Sequence, residues 1–140
     1  MIVKGKVTYA SVQQPNTKFT PRWELNLFPE KEEDVRKLEK AGVNVKEDKE
    51  SGESFIKVSQ NVTRKDGKEN NPPRVVDAAK NEFTALIGNG SICNVKFSLW
   101  EYDNFGKKGI KPILEAVQVI KHVPYEEDED FDVVDTEEDF

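Results

Sequence analysis

With one cysteine, Cys93, in 140 residues, an intrachain disulfide is excluded and a reduced compartment is the simplest setting. One histidine, His122, beside that lone cysteine cannot assemble a structural zinc site. No stretch approaches the ~20 apolar residues that a membrane helix needs. Residues 1–6 (MIVKGK) lack the apolar core of a secretory signal. Catalytic signatures are missing too. There is no Ser-His-Asp set and no Walker-type loop, and Gly88-Asn89-Gly90 is far too little for a dinucleotide fingerprint. Acids are plentiful, but Asp77, Glu82 and Asp103 are scattered turn residues and do not form a metal cage. The expectation is a soluble, intracellular, non-enzymatic protein that needs no cofactor and no metal.

Positive charge is scarce overall, with a net charge of −6, but it is unevenly spread. Ten of the 27 acids fall in residues 126–140, and none of the 21 Lys and Arg do. Residues 1–125 therefore hold 21 bases against 17 acids, about +4, while the last 15 residues carry −10 in side-chain charge. Such asymmetry says more than the average: it divides the chain into a basic body, 1–125, and an acidic tail, 126–140, of disordered composition.

The body reads mainly as strands. Residues 2–12 alternate, with Val3, Val7 and Tyr9 on the core parity, and 13–16 (QQPN) are turn chemistry. A second strand over 17–28 is cleanest from Trp23, where Trp23, Leu25 and Leu27 face the core and Arg22, Glu24 and Asn26 face away; Pro21 makes its start an edge or loop. Residues 30–41 are the one strong helix, with Pro29 before it, acids in its first turn and Gly42 to end it. Its Val35, Leu38 and Ala41 stripe suits a cover on a barrel end. A short strand and turn (43–52), a strand (53–60) and a basic loop (61–74) follow, then a short strand near Val75-Val76. A turn at 88–90 leads to the best strand, 91–102, then a tight basic loop at 103–109 and a last strand at 110–123. Five main strands, with a helix between the second and third, fit a small OB-type barrel; a two-sheet sandwich would need more strands.

Sequence-tolerant binding of a single strand needs a positive groove for phosphates and aromatic faces for bases. The strand 91–102 offers both on the face opposite Cys93, Val95, Phe97 and Leu99, namely Lys96, Trp100 and Tyr102. Phe55 and Lys57 repeat the pairing on strand 53–60, and Arg22 has the outward parity on its strand. OB-folds bind oligonucleotides on their second and third strands and the loops joining strands 1–2 and 4–5. Lys18 and Phe19 fall near the first of those loops, and Phe105, Lys107 and Lys108 in the second. An aromatic on a strand is by default core, as Trp23 and Phe97 are by parity. Trp100 and Tyr102 differ because their strand already has a full apolar face, which leaves base stacking or an oligomer interface. In the tail, Phe131 and the terminal Asp139-Phe140 give a polyanion with aromatic punctuation, similar to nucleic acid in charge and stacking capacity. A protein-interaction adaptor or DNA mimic working through that tail is the alternative reading.

Several segments resemble the replicative single-stranded DNA-binding proteins of phages, OB-folds whose acidic tail ends in Asp-Phe. They are Val75-Val76-Asp77, Ile87-Gly88-Asn89-Gly90-Ser91, Val95-Lys96-Phe97-Ser98-Leu99, Tyr102, and Leu114-Glu115-Ala116-Val117-Gln118-Val119. Pro21-Arg22, Phe55-Ile56-Lys57 and the ending Glu138-Asp139-Phe140 match more weakly. The resemblance implies DNA contacts at Arg22 and Lys57 and an aromatic contact at Tyr102. It implies a tail that competes with DNA and recruits the replicative DNA polymerase and helicase-primase, a role in replication and recombination, a homodimer, and the cytoplasm of an infected bacterium as the setting. The chain departs from the family's pattern in its short helical insertion after Pro29, its short tail, and Trp100 where an aliphatic is usual.

Overall fold

The computed structural model describes residues 1–18 and 20–125. The expectations for Phe19 and for the tail, including Glu138, Asp139 and Phe140, lie outside the described residues. Seven strands and one helix are described: β1 (Ile2–Asn16), β2 (Arg22–Pro29), α1 (Glu32–Lys40), β3 (Lys46–Glu47), β4 (Ser54–Asn61), β5 (Arg74–Asp77), β6 (Ser91–Asn104) and β7 (Lys107–Lys121). β3 and β5 are short edge pieces. The other five form a mixed barrel, with β1 between β2 and β6, β4 beside β2, and β7 beside β6. A single parallel bridge, Ser59 to Ile113, closes it between β4 and β7. This is the OB-type order, with β4, β6 and β7 as its third, fourth and fifth strands and the helix after β2.

Alternation explains the packing. Val3, Val7, Leu25, Leu27, Ile56, Val58, Cys93, Val95, Phe97, Leu114 and Val117 all point inward and are essentially inaccessible. Phe97, the largest fully buried side chain, sits where the chain start is pinned: the Met1 ammonium donates to the Phe97 carbonyl at 2.9 Å and the Phe97 N–H donates back to Met1 at 3.0 Å. α1 buries Leu38 against the barrel and ends in a Schellman motif. Val43 N–H donates to the Leu38 carbonyl and Gly42 N–H to Glu39, with Gly42 at φ +91°. Val43, just past that stop, bridges Ile110 on β7. Of the predicted stripe only Leu38 is buried, with Val35 half-buried and Ala41 exposed, so the helix packs on the barrel through one residue, and the turn after it buttresses one strand of the β6–β7 hairpin.

The second strand starts at Arg22 and not at 17, and three further boundaries differ from the sequence reading. β1 continues to Asn16 through the expected turn, because Asn16 still pairs with Arg22 across an irregular stretch. The expected loop over 103–109 is a two-residue turn: β6 and β7 stay paired out to Asn104–Lys107, and Phe105 (φ +54°) and Gly106 (φ +86°) make a type I′ connection suited to the strand twist. The basic segment after β4 folds back on itself, with Thr63 bridging Glu69 and the Asn70 amide donating to the Asn61 carbonyl at 2.8 Å.

Tyr9 is the clearest correction. Strict alternation gives it the core parity, yet it is 73% exposed. Thr8 pairs with Asn26 and Ser11 with Glu24, so β1 holds one residue more than β2 across this interval. That β-bulge, with Tyr9 at φ +50°, breaks the period and turns the ring outward.

Candidate nucleic-acid interface

Arg22, Glu24 and Lys57 stand together on the outer face of β2 and β4. Glu24 is only 6% exposed. Arg22 Nε lies 3.0 Å from its Oε1 and Lys57 Nζ lies 3.5 Å from its Oε2. The Arg22 contact is ionic without hydrogen-bond alignment, and Oε1 accepts no hydrogen bond. One acid thus holds two cations side by side while cancelling part of their charge. The sequence places Glu24 on this face but gives no sign of its role. Its cross-strand neighbours are what assign it.

The second part is the β6–β7 hairpin, which runs past the barrel as an arm. Trp100 is 65% exposed, Tyr102 48%, and Phe105 at the tip is fully exposed. Tyr102 is opposite Gly109, where an added Cβ would overlap the phenol ring, so the glycine lets the ring lie across the neighbouring strand. Trp100 is opposite Lys111 and therefore shares its face. Lys111 is absent from the sequence-derived set. Counting outward from the Phe105–Gly106 turn would have found it, since residues equidistant from a two-residue turn pair across the hairpin.

The two parts meet in register. Asn26 pairs with Lys57. Two residues back along each strand from the Ser59–Ile113 bridge stand Lys57 and Lys111, on the same face by alternation. A transverse row results, running from Asn26 through Lys57 and Lys111 to Trp100, with Arg22 and Tyr102 flanking it. The start of β2, with Lys18 just before it, lies toward the end of β4, and the arm tip with Phe105, Lys107 and Lys108 toward its start. These two bound the row from opposite ends.

Two expected residues stand apart from it. Lys96 shares the β6 face with Trp100 but sits between Ile2 of β1 and Ala116 of β7, about 13 Å back along the strand. The centre of the surface therefore moves from Lys96 to Lys111. Phe55 is half-buried, its ring 5.0 Å from that of Phe28, which in turn lies under Lys6 at 4.7 Å. That stack supports the sheet surface.

Other chemistry is sparse. Burial pushes the Cys93 thiol up to about 12, which removes it as a nucleophile. Among the described residues, no three His, Cys, Asp or Glu side chains group to hold a metal ion, and no helix is long and apolar enough to cross a membrane.

No protein-family model and no curated protein matches the chain. Solved structures match its fold. The crystal structure of gp2.5, a single-stranded DNA-binding protein encoded by bacteriophage T7, has a TM-score of 0.68 at 20% identity and covers 97% of each chain. The single-stranded DNA-binding protein from bacteriophage Enc34 gives 0.65 at 15% identity, over 98% of this chain and 87% of that one. The same Enc34 protein in complex with single-stranded DNA gives 0.64 at 14%, over 88% and 86%. Over nearly its whole length, then, the chain has the barrel fold of phage single-stranded DNA-binding proteins.

Proposed function

We propose that this chain binds single-stranded DNA with little regard to sequence and protects it during phage replication and recombination in an infected bacterium, without catalysis. A shared fold does not by itself fix function. The observation that carries the reading is the row itself: two lysines, Lys57 and Lys111, in line with an outward indole, on the barrel face and arm that OB-folds use. Lys57, Lys111 and Arg22 take phosphates, Trp100 and Tyr102 stack bases, and Phe105, Lys107 and Lys18 extend contact at the two loops. Lys96 and Phe55 are secondary.

Residues 126–140 complete the reading. A segment of ten acids closing on Asp139-Phe140 matches the row's needs in charge and stacking, so it competes with DNA for the same surface. Once displaced, it is available to basic partners. The family resemblance names these as the replicative DNA polymerase and helicase-primase, and adds a homodimer. Titrating the chain with oligo-dT tests the core claim, the expected outcome being quenching of Trp100 fluorescence and an affinity that falls steeply with salt. Deleting 126–140 should tighten binding. Absence of binding at low salt in both forms would leave only the adaptor reading standing.

A further inference from the structure

A bulky residue held in the left-handed region is uncommon, because its Cβ crowds the following carbonyl. Tyr9 lies there at φ +50°. The conformation is supported from a distance, since the Asn89 side chain accepts the Tyr9 N–H at 2.8 Å and the neighbouring Gly90 N–H donates to the Val7 carbonyl at 2.9 Å. The bulge keeps Val7 and Val12, which are of opposite parity, both buried, but the Tyr9 ring itself gives the core nothing and stands in solvent. A bulge that re-aims one side chain beside a site is a known use of this device.

Its position matters more. Tyr9 follows Thr8, which pairs with Asn26, and Asn26 pairs with Lys57. The bulge therefore stands at the β1 end of the same transverse row that ends in Trp100 on the arm. Between the two aromatics the row holds, among the described residues, Asn26, Lys57 and Lys111.

We infer that Tyr9 is a base-stacking residue, and that the bound strand crosses β4, β2 and β1 from the arm to this bulge. The inference rests on the proposed DNA binding and adds its path and its far end. Thymidine oligonucleotides of two lengths give the test, one of about 5 nucleotides and one of about 15, bound to the full chain and followed by anisotropy. Tyr9→Gly removes the ring and suits the left-handed backbone, so its melting midpoint should equal or exceed that of the wild type. Its affinity for the long oligonucleotide should fall about 5- to 100-fold, the usual range for losing one stacked base. The short one, seated at the arm, should lose little, whereas Trp100→Ala should weaken both. Tyr9→Phe should retain wild-type affinity within about twofold, and Asn89→Ala should fall between Tyr9→Phe and Tyr9→Gly. If Tyr9→Gly binds the long oligonucleotide normally while Trp100→Ala does not, the path does not reach β1 and the inference is wrong. A wild-type chain that binds neither oligonucleotide overturns the DNA-binding reading and this one together.

Discussion

Strand β6 passes through two environments. As far as Phe97 its inward residues are sealed in the barrel; from Trp100 onward every residue to the turn is exposed. The β2–β4 face contrasts with the arm in the same way. On the barrel, outward groups are tied down, Arg22 and Lys57 to Glu24 and Phe55 to Phe28. On the arm, Trp100 and Phe105 present open ring faces. One region is built to hold charge in place, the other to offer stacking surface. A single strand needs both, and the Ser59–Ile113 bridge is where they join.

The contrast breaks most sharply within β6. Phe97→Ala should cost about 3–5 kcal/mol of stability through the lost burial and the cavity left behind, read from urea unfolding. Trp100→Ala, three residues on, should leave unfolding within about 0.5 kcal/mol and weaken oligo-dT binding by about 1–3 kcal/mol. If both variants lose stability alike, the arm is part of the core and the division is false. On the barrel side, Glu24→Gln should move neither quantity as far. Removing the acid releases two cations, so affinity should rise at low salt. The slope of log affinity against log salt should steepen by about 0.7 for each cation freed to meet a phosphate. An unchanged slope would mean that Arg22 and Lys57 do not face the DNA.

The barrel was largely legible in the sequence, because each of its strands buries one face and so carries a period of two. Trp23 to Leu27 and Cys93 to Phe97 are clear cases. The helix was legible from Pro29, its acidic first turn and Gly42. What was not legible depends on distant or missing partners. Tyr9 lies in solvent where alternation puts it in the core. Its bulge is held by Asn89, eighty residues away, and no local pattern reports that. Only the outer end of the arm, 103–109, reads as a loop, because strands that leave the barrel have no core to bury and alternation fades after Leu99. Trp100 and Tyr102 were found as outward aromatics on a strand whose other face was full. Lys111 was missed because its meaning comes only from the residue opposite it.

The pairing of β1 with β6 also shapes how the chain comes into being. Ile2 to Val7 pair with Ser91 to Lys96, and the Met1 ammonium reaches Phe97. During synthesis the first strand leaves the ribosome long before its second neighbour exists. β2 can cover one edge early; the other stays open until β6 has been made. β1 is thus made well before the sheet around it can be completed. A nascent chain stalled before β6 should carry an unpaired β1 edge, the state in which this protein is most exposed to mispairing.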